Sequence, residues 1–64
     1  MPIIRVEMIE GRSAEQKQAL SQALTDAFVQ TCQGTAESVY VVIEDVKKEN
    51  WAIAGKLVSQ RSES

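Results

Sequence analysis

The sequence predicts an α/β chain in the order strand, long helix, strand, closed by a short C-terminal hairpin, with a sheet completed by other subunits. Three observations carry this. Two stretches, Ile3 to Ile9 and Ser38 to Val46, alternate in the manner of strands. The segment between them repeats its apolar residues at helical spacing. The chain has only 64 residues, 44% of them hydrophobic. A domain this small buries only about 60% of the surface that its unfolded chain exposes.

The first strand is expected over Ile3 to Ile9, with Ile4, Val6 and Met8 on one face and Ile3, Arg5, Glu7 and Ile9 on the other. Pro2 suits its mouth, because a residue without an N–H costs no ladder bond there. Glu10-Gly11-Arg12 reads as a turn. Ser13-Ala14-Glu15-Gln16 fits a capping box, in which Ser13 caps the Gln16 N–H and the Gln16 side chain reaches back. The helix that follows should run about 19 residues. Its apolar stripe is expected at Leu20, Ala23, Leu24, Ala27, Phe28 and Thr31, with Lys17, Gln18, Ser21, Gln22, Thr25 and Gln30 on the wetter side. Gly34 is the expected left-handed residue after the helix.

The second strand is expected over Ser38 to Val46, with Val39, Val41 and Ile43 on one face and Tyr40, Val42, Glu44 and Val46 on the other. Apolar residues on both faces predict cover on both sides. Lys47 to Asn50 is a polar turn. Trp51 to Gly55, with Lys56 to Val58, is too short for a helix and reads as a hairpin. Residues 59–64 read as a flexible polar tail. The whole, 1–64, is a single domain. A strand, a helix and a strand give a parallel pair joined by a right-handed crossover.

Composition narrows the function. The single cysteine, Cys32, rules out an internal disulfide, and the chain has no histidine, so a structural zinc site is not expected. Association with other subunits is the remaining way to support so small a fold. The formal net charge of −2, without a basic stripe, argues against nucleic acid as a partner. No apolar run approaches the roughly 20 residues of a membrane span, and no signal-peptide pattern is visible, so the expected location is cytoplasmic. Cys32, near the helix C-terminus, reads as a small buried residue, and Asp26 and Glu44 as solvated or structural groups.

Without histidine there is no imidazole base. The N-terminus offers another. If Met1 is removed, Pro2 carries a free secondary amine held at the end of a strand. An α-amino group titrates at about 7.7–8.0. Desolvation and a nearby cation lower that value toward the range useful for proton transfer.

PIIRVEMIEGRSAEQKQAL resembles the start of the 4-oxalocrotonate tautomerase family, with its leading proline and its EGR-S/T-x-E-Q-K run, here Glu10 to Lys17. SVYVVIEDV and NWAIAGKLVS resemble the family's second strand and C-terminal hairpin, so the likeness covers nearly the whole chain. The resemblance implies a cofactor-independent isomerase in which Pro2 takes a proton from a dienol or 2-keto acid and returns it to a carbon. It also implies that Arg12 binds a substrate carboxylate, often across a subunit boundary, and that the assembly is a homohexamer, a trimer of dimers. A guanidinium suits that role because it grips a carboxylate through two parallel N–H bonds.

Two positions depart from the best-known member of the family. Tyr40 stands where that enzyme has a second arginine, and Trp51 where it has an active-site phenylalanine. Tyrosine offers one neutral hydrogen bond and no charge, so enolate charge is stabilised less. Tyr40 is either a substrate contact or core packing, and Trp51 is expected to wall the pocket. Arg5 has the opposite strand parity to Ile4 and Val6 and is not assigned to the site. These departures favour simpler enolpyruvates over dicarboxylated dienols. Two alternatives stand beside this reading. One is a non-catalytic oligomeric or ligand-binding member of the fold. The other is a hydratase or dehalogenase of unsaturated acids, for which Glu7, Glu10 and Glu44 are the available carboxylates.

Overall fold

A computed structural model of the chain describes residues 1–61; the end of the expected tail, 62–64, lies outside the described residues. Strand β1 spans Ile3–Ile9, helix α1 Ala14–Cys32 and strand β2 Tyr40–Val46, followed by a hairpin of β3, Ala52–Ile53, and β4, Lys56–Leu57. β1 and β2 are parallel, in a register that runs from Ile3 beside Tyr40 to Ile9 beside Val46. This is the β-α-β unit with a C-terminal hairpin that the sequence predicts.

The turn into the helix is built locally. Gly11 adopts φ +133°, a conformation that a side chain resists, although nothing within 4 Å would obstruct a Cβ there. Two residues later the capping box forms. The Ser13 hydroxyl accepts the Gln16 N–H at 3.1 Å, and the Ser13 N–H donates to Gln16 Oε1 at 2.9 Å. Lys17 Nζ lies 2.5 Å from Asp45 Oδ2 and ties the first turn of α1 to the end of β2. Such a half-exposed pair contributes on the order of 0.2–1 kcal/mol.

The helix departs from its expected geometry in three places. Its left-handed closing residue is Gln33, at φ 63°, whose N–H donates to the Val29 carbonyl; Gly34 is not left-handed. The half-buried seam follows Lys17, Leu20, Ser21, Leu24, Thr25, Phe28 and Val29, while Ala23, Ala27 and Thr31 are exposed. The Leu20-Leu24-Phe28 spine is as expected, but the face is rotated toward the next residue along each turn. Cys32, expected to be buried, is exposed at the helix end.

β2 begins at Tyr40 rather than Ser38. A 3-10 turn over Ala36–Ser38 precedes it, closed by the Ser38 hydroxyl on the Thr35 carbonyl at 2.8 Å. In the hairpin, Ala54 and Gly55 both have positive φ, 53° and 83°, as a two-residue primed turn requires. The Val58 N–H closes it on the Trp51 carbonyl at 2.8 Å. A further 3-10 turn spans Val58–Gln60, so the first tail residues are in regular structure.

No described side chain is fully buried. The helix covers one face of the sheet, where Ile4, Val6, Met8, Val41 and Ile43 are half-buried. The other face is open: Ile3 is 60% exposed, Tyr40 52% and Val42 38%. The second layer that the apolar pattern of β2 predicts is therefore not supplied by this chain. Size points the same way. The chain exposes 5038 Å², against about 4,100 Å² for a compact monomer of this mass. Its radius of gyration is 15.0 Å, against about 11 Å.

Candidate active site

Pro2 sits at the N-terminal end of the sheet, half-buried, and its carbonyl accepts the Tyr40 N–H at 3.0 Å. That bond fixes the chain at the point where a freed amine would lie. Tyr40 is the neighbour of Ile3 in the register and shares its open face. Pro2 has the parity of Ile4, on the helix face. The ring of Pro2 and the phenol of Tyr40 thus stand side by side along the sheet but on opposite faces. Within one chain Tyr40 is 52% exposed, on the face away from the helix.

Arg12 and Trp51 lie at the other end. Arg12 follows β1 through Gly11, and its Nη1 donates to the Ile9 carbonyl at 3.1 Å, which leaves the rest of the guanidinium facing solvent. Trp51 follows β2 and is half-buried in an open groove of about 360 Å³, lined also by Glu7, Glu44, Val46, Asn50 and Ala52. β1 has seven residues, so the two ends are separated by about 23 Å. One chain therefore holds the four candidate residues as two pairs, Pro2 with Tyr40 and Arg12 with Trp51, and does not bring the pairs together.

The groove contains a feature that strand parity hints at but does not fix. Glu7 and Glu44 are register partners, so their carboxylates stand next to each other on the open face. Only the pairing of β1 with β2 reveals this. Among the described residues no group of three or more His, Cys, Asp or Glu side chains is placed to hold a metal ion. No described helix is long and apolar enough to cross a membrane.

A parallel β-α-β chain with no fully buried side chain among the described residues, a proline leading its first strand and an arginine at its helix start, defines a class of small enzymes. The chain belongs to the tautomerase family: the family described as tautomerase enzyme matches residues 2–61. The 2-hydroxymuconate tautomerase of Bacillus subtilis is 41% identical over 59 residues, 92% of this chain and 95% of the relative. The solved structure of YwhB, a homologue of 4-oxalocrotonate tautomerase, superposes with a TM-score of 0.91 at 38% identity, covering 95% of this chain and all of that one. A heterohexameric 4-oxalocrotonate tautomerase from Chloroflexus aurantiacus gives 0.88 at 32% identity, covering 94% and 97%. The chain is thus an isomerase of the 4-oxalocrotonate tautomerase type.

Proposed function

We propose that the enzyme interconverts enol and keto forms of small 2-keto acids without a cofactor, using the amine of Pro2, freed by removal of Met1, as general acid and base. The observation that carries this reading is that the family match begins at Pro2 and includes the Glu10-Gly11-Arg12-Ser13 run. While Met1 is attached, the Pro2 nitrogen is an amide and has no basicity. Once free, it takes the enol hydroxyl proton and returns a proton to the enol carbon, leaving the ketone. Arg12 holds the substrate carboxylate and Trp51 forms the apolar wall. The Tyr40 phenol donates to the oxygen on which enolate charge develops.

One chain separates these groups by the length of its sheet, so the site in this reading is composite. In it the Pro2 end of one copy meets the Arg12 and Trp51 end of another, in a homohexamer arranged as a trimer of dimers. Having one cation and a tyrosine in place of two cations, it favours monocarboxylated aryl or alkyl enolpyruvates over dicarboxylated dienols. We take the cytoplasm as the site of action, where a lone thiol such as Cys32 stays reduced.

Intact mass tests the first step, because the working protein should be lighter by one methionine. Ketonisation of an enolpyruvate series by the wild type and by Pro2→Ala tests the second. The wild type should be faster on every substrate that it accepts. Equal rates across the series would leave a non-catalytic oligomer as the better description. Water addition to an unsaturated acid, in place of ketonisation, would favour the hydratase reading.

A further inference from the structure

The groove beside Trp51 carries charge that the proposed reaction does not use. It measures about 360 Å³, within the range of pockets that take small molecules. Trp51 and Val46 give it apolar surface, Asn50 a neutral amide, and Glu7 and Glu44 two carboxylates. The register sets those carboxylates on neighbouring strands, whose backbones lie about 4.8 Å apart. Neither forms a hydrogen bond or an ion pair among the described residues. No described lysine or arginine lines the groove. Arg5, two residues before Glu7 on the same face, makes no ion pair with either carboxylate.

We propose that Glu7 and Glu44 filter substrates by the charge of their tail. They turn away a second carboxylate and admit an arylpyruvate enol whose ring bears a neutral or cationic group. The proposal rests on the reading in which Arg12 holds the substrate's own carboxylate and Trp51 lines its pocket. The spacing suits it. Arg12 is anchored on the Ile9 carbonyl, two residues beyond Glu7, a rise of about 7 Å along β1. An arylpyruvate enol spans a comparable length from its carboxylate to the far edge of its ring. Its carboxylate can reach Arg12 while its far end lies by the two glutamates.

Two carboxylates repel an anion brought beside them, and more strongly once the ligand has displaced water from the groove. The same pair is indifferent to a neutral ring. It attracts an ammonium group, to which the face of an aromatic side chain such as Trp51 adds. Discrimination of this kind comes from a repulsive element as much as from an attractive one. Tyr40 in place of a second arginine only withholds attraction from a dicarboxylated substrate; the glutamates reject it. Like charges side by side on neighbouring strands cost the fold some stability, and no contact within the chain offsets it.

The test compares two phenylpyruvate enols that differ only at the para position, one carrying a carboxylate and the other an aminomethyl group. Ketonisation of each is followed with the wild type and with Glu7→Gln combined with Glu44→Gln. The wild type should prefer the ammonium substrate, and the double variant should narrow the ratio of the two kcat/KM values by at least about tenfold. Glu7→Asp with Glu44→Asp should keep the preference. Added salt should narrow the ratio in the wild type, since screening at Arg12 is common to both substrates and cancels. A merely structural loss would slow both substrates alike and leave the ratio where it was. An unchanged ratio in the glutamine variant, or a wild type that prefers the second carboxylate, overturns the filter. If that variant does not fold, a wild-type ratio indifferent to salt overturns it. If Pro2→Ala ketonises both substrates as fast as the wild type, the catalytic reading falls and the filter with it. If Pro2→Ala is slow while the ratio ignores the glutamates, the filter alone falls.

Discussion

Removing the guanidinium of Arg12 should separate binding from chemistry. Arg12 is exposed, and within the chain its Nη1 donates to the Ile9 carbonyl at 3.1 Å. That contact steers the side chain without using its other edge, so Nη2 and Nε remain for a carboxylate. A hydrogen bond to a charged group is worth about 1.5–3 kcal/mol. At 1.36 kcal/mol per decade, Arg12→Ala should lower kcat/KM for a carboxylated enol by about 10- to 150-fold. The loss should fall mainly on KM, because the carboxylate is bound in the ground state and the transition state alike. For an enol without a carboxylate the change should stay within about twofold, and the circular dichroism spectrum and Tm should be unaltered. The assay follows ketonisation by ultraviolet absorbance for both substrates, in wild type and variant. Equal losses on the two substrates would refute the assignment of Arg12 to carboxylate binding.

Three further outcomes follow from the described geometry. Tyr40→Arg should raise kcat/KM for a dicarboxylated dienol by about tenfold or more, since it adds a charged hydrogen bond on the face where Tyr40 is exposed; no gain on that substrate would remove Tyr40 from the site. Ala54→Gly should stabilise the assembled protein by about 1 kcal/mol in denaturant unfolding, because Ala54 sits at φ 53°, where a Cβ is penalised; a destabilised variant would contradict the turn geometry. Ser13→Ala should cost about 1 kcal/mol through loss of the helix cap, and its Tm should fall at every protein concentration; an unchanged Tm would mean that the Gln16 N–H finds another acceptor without loss.

The elements that the sequence made legible are those whose signals are local. Ser13 and Gln16 mark the helix start because their side chains bond to each other's backbone. Ile3 to Ile9 reads as a strand because its parity is uninterrupted. The errors arise where a choice depends on something distant. Ser38 looks like a strand residue until its hydroxyl turns back on Thr35. Ala23, Ala27 and Thr31 share helical spacing with Leu20 and Phe28, but only the position of the sheet decides which flank of the stripe is used. The cover that the apolar open face of β2 calls for is a different matter: one chain does not supply it, and the sequence expects it from other subunits. The candidate site follows the same rule. Its residue types were readable from Pro2 and the Glu10 to Lys17 run. The 23 Å between the ends of β1, which splits them into two pairs, and the pairing of Glu7 with Glu44 required the register.

The split between Pro2 and Arg12 has a genetic consequence. If each copy lends its proline to one site and its arginine to another, a chain that has lost one of the two still serves the site that uses the other. A cell making equal amounts of a Pro2-defective and an Arg12-defective chain would still build some intact sites, where sound halves from different alleles meet. Two inactive alleles would then complement each other. A single allele faulty in Pro2 alone, beside a sound one, would silence only its own share of the sites.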